Sequence, residues 1–185
     1  HGINASRVVV DDYQGVYNAV CHLIATGCRR IAFFGSPMHL EISKNRFNGY
    51  KDALLHHDIA IDDSIIRICD NRIDAERITP ELLLSHERPD AFFAINDDTA
   101  IGILRVVKRS GLRVPEDISI FGFSDGFRAI ASDPQLTSVN QRGEIVGSEA
   151  VDILIDEVEG KLPVDRVNKR IVKTSLVIRG TTRPL

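Results

Sequence analysis

An open, mostly parallel α/β sheet with helices on both faces is the fold class this sequence predicts, and three observations carry it. Short apolar runs alternate with amphipathic stretches from about residue 14 to residue 121. Such alternation builds βαβ units, whose strands run parallel and are covered on both sides. Two of the runs end abruptly in polar pairs, Asn96 with Asp97 and Ser124 with Asp125, and a helical stretch between them returns the chain. Both polar ends therefore meet at one sheet edge, and the crevice outside the carboxyl ends of the strands is where ligands bind in such sheets.

The elements follow in order. Over 14–25, Val16, Val20, Leu23 and Ile24 share a helical stripe that Gly27 stops. The strand RIAFFG follows at 30–35, then an amphipathic helix over 43–56 through Phe47, Tyr50, Ala53 and Leu54, then the strand SIIRIC at 64–69. A helix over 75–84 contains Pro80, which is comfortable only in a first turn, so it either starts near Thr79 or kinks there. Strand 91–95, helix 98–109 and strand 118–121 complete the alternation.

Past Asp125 the rhythm breaks. Residues 126–141 read as a long, largely irregular link, 144–158 as a helix and 170–180 as one last strand. The helix over 144–158 is apolar on more than one face, through Ile145, Val146, Val151, Leu154 and Ile155 among others, and needs several neighbours. Part of that cover is expected to lie outside these residues. The helix over 98–109 shows a similar surplus in Ile101, Ile103, Leu104, Val106 and Val107, for which a second protomer is the expected cover.

Composition narrows the function classes. The length of 185 residues suits one or two small domains, and the net charge of −3 with scattered basic residues lacks the basic face that counterion-releasing nucleic-acid binding needs. These residues alone should bind DNA poorly. The odd number of cysteines, Cys21, Cys28 and Cys69, with no C-x-x-C pair, points to a reducing, cytoplasmic setting. There is no apolar run of about eighteen or more residues, so no membrane partner is expected. The chain starts at His1 and its sole methionine is Met38, which reads as a fragment of something longer. The histidines show no H-E-x-x-H spacing, and neither a Walker A nor a G-x-S-x-G motif occurs. No enzyme, cofactor or metal is expected.

The pieces VVVDDYQGVYNAVCHLIATGCRRIAFFG, RFNGYKDAL, RPDAFFAINDDTAIG, GLRVPEDISIFGFSD, PQLTSVNQ and SLVIRGTTRP, in that order, cover nearly the whole chain. Together they resemble the effector-binding region of the LacI family of transcriptional regulators. The resemblance implies a partial periplasmic-binding-protein-like fold of type I, without the amino-terminal helix-turn-helix head, the hinge and most of the first subdomain. It implies that 1–125 are the first part of the C-terminal subdomain, 126–160 a crossover and helix of the N-terminal subdomain, and 161–185 a return to the C-terminal one. The expected partners are a small polar effector, plausibly a sugar or derivative, a second copy in a homodimer, and DNA only through the absent head. A periplasmic or secreted sugar-binding protein is the alternative that shares the fold.

Six residues are candidates for the effector. Arg46 offers a planar fork of donors suited to paired hydroxyls or a carboxylate. The residue type alone favours an exposed surface arginine, and the match of RFNGY to the family's ligand-contacting arginine reverses that. Asn96 and Asp97 can each cap the following helix or face a ligand. Asp97 is assigned to the cap and Asn96 to the ligand, as the resemblance suggests. Phe93 either stacks on a ligand ring or fills the core. Ser124 stands where the family commonly has an aspartate, a departure that puts the usual effector chemistry in doubt. Asp125 either substitutes for that aspartate or belongs to the turn. Asp11 matches a family aspartate, with a solvated loop carboxylate as its equal rival.

Overall fold

Residues 5–162 and 166–185 are described by the computed structural model. Strand β1 (Arg7–Val10) leads into α1 (Asp12–Ala25), β2 (Ile31–Gly35), α2 (Glu41–His56), β3 (Ile66–Ile68) and α3 (Arg72–Leu83). Then come β4 (Ala91–Ala94), α4 (Asp97–Arg109), β5 (Ser119–Ser124), a short α5 (Phe127–Ala131) and β6 (Thr137–Asn140). Helix α6 (Gly143–Val158), β7 (Lys169–Val172) and β8 (Ser175–Val177) close the chain. One six-stranded sheet runs β3-β2-β4-β5-β6-β8, parallel except for β8, and a separate two-stranded parallel sheet joins β1 to β7.

The central strands are buried on both faces, which is why they read as continuous apolar runs. Alternate side chains serve opposite layers. Phe33, Phe93, Phe121 and Phe123 pack under α1 and α2, whereas Phe34, Phe92 and Ile120 pack under α3 and α4. Glycines set how closely the helices approach. A Cβ on Gly49 would lie 2.4 Å from the Tyr13 carbonyl oxygen of α1, and one on Gly102 would lie 2.6 Å from the Arg72 carbonyl oxygen of α3. Those contacts give a physical reason for the glycines of RFNGY and DDTAIG.

Several expectations need correction. The third helix neither starts at Thr79 nor awaits Pro80. It begins at Arg72, where Asn71 caps it by accepting from the Asp74 N–H at 3.0 Å, and it carries Pro80 in its interior. Packing along α4 holds it across the backbone bond that proline cannot donate. The supposed irregular link contains α5 and β6, the latter a central strand whose Thr137, Ser138 and Val139 are buried. The supposed last strand is two strands in different sheets, parting at Lys173 and Thr174. The expected division at 125 and 160 does not follow the sheets either. Residues 126–140 stay with the main sheet, and β1 leaves it to join β7 and α6. Finally, Ile103 and Val107 of α4 are both fully buried within their own chain, so the surplus on that helix calls for no second protomer.

Candidate functional site

The main sheet and the β1–β7–α6 unit are joined by three crossovers, at Asp11, at Gln141 with Arg142, and at Lys173 with Thr174. All three lie at the carboxyl edge of the main sheet or next to it. The Asp11 carboxylate accepts from the Thr174 N–H at 2.6 Å, tying two crossovers together. A cleft of about 950 Å³ opens between the unit and the first turns of α1 and α2, lined by Asp11, Asp12, Tyr13, Asn45 and Gln141 among others.

Arg46 stands on α2 just behind the end of β2 and is only 4% exposed. Its Nε and Nη2 both donate to Asp12 Oδ1 at 2.7 Å, Nη1 donates to the Ile95 carbonyl at the end of β4, and the guanidinium lies 3.5 Å over the Phe123 ring. One side chain thereby links α1, α2, β4 and β5. Burial pushes the Asp12 carboxyl above the usual carboxylate range and Arg46 below its usual value, each partly offset by its partner. The exposed surface arginine expected from residue type alone is thus ruled out.

The cap expected of Asp97 falls to Asn96, and Asp97 turns into the interior instead. Asn96 is the N-cap of α4, accepting from the Thr99 N–H at 2.8 Å and donating to the Asp70 carbonyl. Asp97 is buried, accepting from the Ser138 hydroxyl at 2.6 Å and the Gly126 N–H at 2.8 Å. Burial raises its pKa, against the lowering by those two bonds. The cap falls to Asn96 because that position takes extended φ/ψ, while Asp97 already lies in the helix.

Ser124 and Asp125 both hold positive φ, 130° and 58°, a conformation that costs non-glycine residues about 1–3 kcal/mol each and persists only where surroundings fix it. Here they do. Asp125 Oδ1 lies 2.6 Å from Arg179 Nη1, Asp125 Oδ2 accepts from Asn140 at 2.9 Å, and the Asp125 N–H donates to Ser138. Asp125 therefore belongs to the turn, with both carboxylate oxygens occupied. Ser124 Oγ accepts from Gln141 Nε2 at 3.0 Å and lines a smaller cavity of about 560 Å³ with Asn96, Asp98 and Phe127. Phe93 is fully buried, stacked between Phe33 and Phe121 with ring centroids 5.9 and 6.3 Å away. In this chain the ring is part of the core, as its burial shows.

Residues 20–182 match the family described as periplasmic binding protein-like domain. Among curated proteins, the transcriptional regulator CelR of Thermobifida fusca is 34% identical over 177 residues, and the repressor CytR of Escherichia coli K12 is 33% identical over 179. Those alignments cover 94% and 96% of this chain but only 51% and 52% of the relatives. The chain belongs to the periplasmic binding protein-like domains of LacI-type regulators. It spans about half the length of the curated relatives it matches. A solved CelR–cellobiose complex superposes with a TM-score of 0.88 at 32% identity, over 96% of this chain and 54% of that one. A LacI-family regulator of Enterococcus faecium with bound ribose gives 0.87 at 27% identity, over 100% and 68%. These relatives are regulators, not enzymes.

In this LacI-type domain the edge brings together Arg46, Asn96 and Ser124 with two residues that sequence reasoning passed over. Asp12, next to the chosen Asp11, is the partner of Arg46, and the doublet in VVVDDYQG gave no means of choosing between them. Gln141 was read as the end of a loop. Its only signal was its place in the polar run 140–142 just before an apolar helix.

Proposed function

We propose that this chain is the effector-sensing part of a DNA-binding regulator, taking a small neutral sugar or sugar derivative at the carboxyl edge of the main sheet. The observation that carries this reading is the Asp12–Arg46 pair. Two guanidinium N–H groups converge on Asp12 Oδ1 at the edge of a ligand-binding fold, where the Asp12 carboxylate lines the larger cavity and the buried pair supplies donor and acceptor chemistry suited to paired hydroxyls. Asn96, Ser124 and Gln141 extend it as neutral hydrogen-bonding groups. Cellobiose and ribose in the structures of two relatives favour the sugar class. The regulator names of the relatives weigh against a periplasmic or secreted binding protein.

The N-terminal subdomain would extend the two-stranded β1–β7 sheet and cover α6, the DNA-reading head would lie beyond it, and the protein would work in the cytoplasm. Among the described residues no helix is long and apolar enough to cross a membrane. The proposed homodimer contact moves from α4 to the exposed Ile73, Phe127 and Ile130, on elements that meet at Asp98 through its contacts to Arg72 and Arg128. Sedimentation tests it: a dimer dissociated by Phe127→Ser supports this contact, and a monomeric parent removes it.

Calorimetry with cellobiose, ribose and other neutral saccharides tests the effector. At least one should bind. Asn96→Asp, which keeps an equally good helix cap but loses the amide donor, should weaken that binding about ten-fold to a hundred-fold. A chain that binds no neutral saccharide, or binds equally after the substitution, would overturn the assignment.

A further inference from the structure

The crossover into α6 is hydrogen-bonded, residue by residue, to the strained turn at the end of β5. Ser124 stands opposite Asn140 in the parallel β5–β6 register. Asn140 donates to Asp125 Oδ2 at 2.9 Å and, through Oδ1, accepts from the Arg142 N–H at 2.6 Å. Gln141 donates to Ser124 Oγ at 3.0 Å. Arg142 then takes a left-handed conformation, φ 51°, as α6 begins.

The two ties differ in what else they touch. The Asn140–Asp125 bond is backed by the Arg179 ion pair, whose side chains are 15% and 8% exposed, and is closed off from the edge. The Ser124–Gln141 bond lies between the two cavities, for Ser124 lines the smaller and Gln141 the larger. A serine hydroxyl has one donor and two acceptor lone pairs. Gln141 occupies one lone pair, and among the described residues no acceptor takes the Ser124 proton.

We propose that Ser124 couples the edge to the angle of the β1–β7–α6 unit. Its Oγ accepts from Gln141 at the crossover while its O–H donates to an oxygen of the bound effector. The proposal rests on the effector reading above and adds a route of transmission to it. Donating a hydrogen bond polarises the hydroxyl and makes it a better acceptor, because hydrogen bonds in a chain reinforce one another. Effector binding thus tightens the Gln141 bond and narrows the range of angles open to the unit. Reciprocally, a fixed crossover favours the effector.

Spin labels on Leu55→Cys in α2 and Asp152→Cys in α6, in a Cys21→Ser background, report the distance between the two bodies in the 185-residue chain. Without ligand, the parent should give one narrow distance distribution. Ser124→Ala and Gln141→Leu should each broaden it, and the double variant should broaden it no further than either single one. Ser124→Gly, which removes the hydroxyl and the backbone strain together, should match Ser124→Ala. An already broad parent, unchanged variants, or additive broadening would overturn the coupling. Cellobiose and ribose form the second arm. A sugar that binds by calorimetry should narrow the parent distribution and leave that of Ser124→Ala unmoved, and equal narrowing in both would also overturn the coupling. If neither sugar nor any other neutral saccharide binds the parent, the sugar reading fails on its own, while the ligand-free arm still decides the Ser124–Gln141 tie.

Discussion

Helices α4 and α6 look alike in sequence and fare differently in the fold. Both carry more apolar residues than one face can hold. On α4 the surplus vanishes into the chain itself, since Ala100, Ile103, Leu104 and Val107 are buried among α3, β4 and β5. On α6 only Ile153 is buried, and Val151, Leu154 and Val158 are 54%, 60% and 79% exposed. The difference lies in the neighbours. A central strand pair and a second helix lie under α4, whereas α6 rests on two strands that have only each other. An apolar surplus therefore measures how much cover a helix wants, and topology alone says where that cover comes from.

That contrast can be broken most forcefully in the main body. Phe93→Ala, at the centre of a three-ring stack, should cost about 3–5 kcal/mol in urea denaturation. A loss under about 1 kcal/mol would mean the stack is not the core it looks to be. Arg46→Met should cost almost as much, about 3–5 kcal/mol, because it leaves the buried Asp12 carboxylate unpaired. Adding Asp12→Asn should recover part of that loss, and a double variant no better than the single one would contradict the pairing.

The helices themselves give the direct comparison. Ile103→Ala on α4 should destabilise by about 2–5 kcal/mol, and Leu154→Ala on α6 by no more than about 0.5 kcal/mol in this chain. If both cost the same, α6 is covered in solution by something other than the neighbours described. The smallest effect is a pH dependence confined to the main body. His22, buried beside Thr182 and the edge of Phe121, has its pKa lowered by burial. The unfolded chain takes up a proton below about pH 6.5 that the folded chain resists, so His22 favours folding above that pH and loses its contribution as the pH falls. His22→Gln should therefore lose less stability than the parent between pH 7.5 and pH 5, and parallel losses would remove His22 as a source of acid sensitivity.

Much of the fold was legible because its strands are buried on both faces, and strands β2, β4 and β5 announced themselves as apolar runs. β6 did not. Thr137 and Ser138 lie in the sheet's interior with their hydroxyls paired to Thr182 and Asp97, so their polarity hid a central strand inside an apparent loop. The site was legible as an edge and less so as a set of contacts. Arg46, Asn96 and Ser124 do gather there, yet nothing local distinguished Asp11 from Asp12, or a capping asparagine from a capping aspartate.

By itself, the sequence determined the alternation of elements, the sheet edge where polar residues end apolar strands, and the helices that want more cover than one face. These follow from periodicity and turn chemistry, which act over a few residues. Tertiary structure alone decided that β1 leaves the main sheet for β7, that α3 runs through Pro80, and that Asp125 is spent on Arg179 and Asn140. Each of those outcomes depends on partners supplied by other elements of the chain. A buried polar group must find a partner wherever the fold supplies one, and only the assembled fold names it.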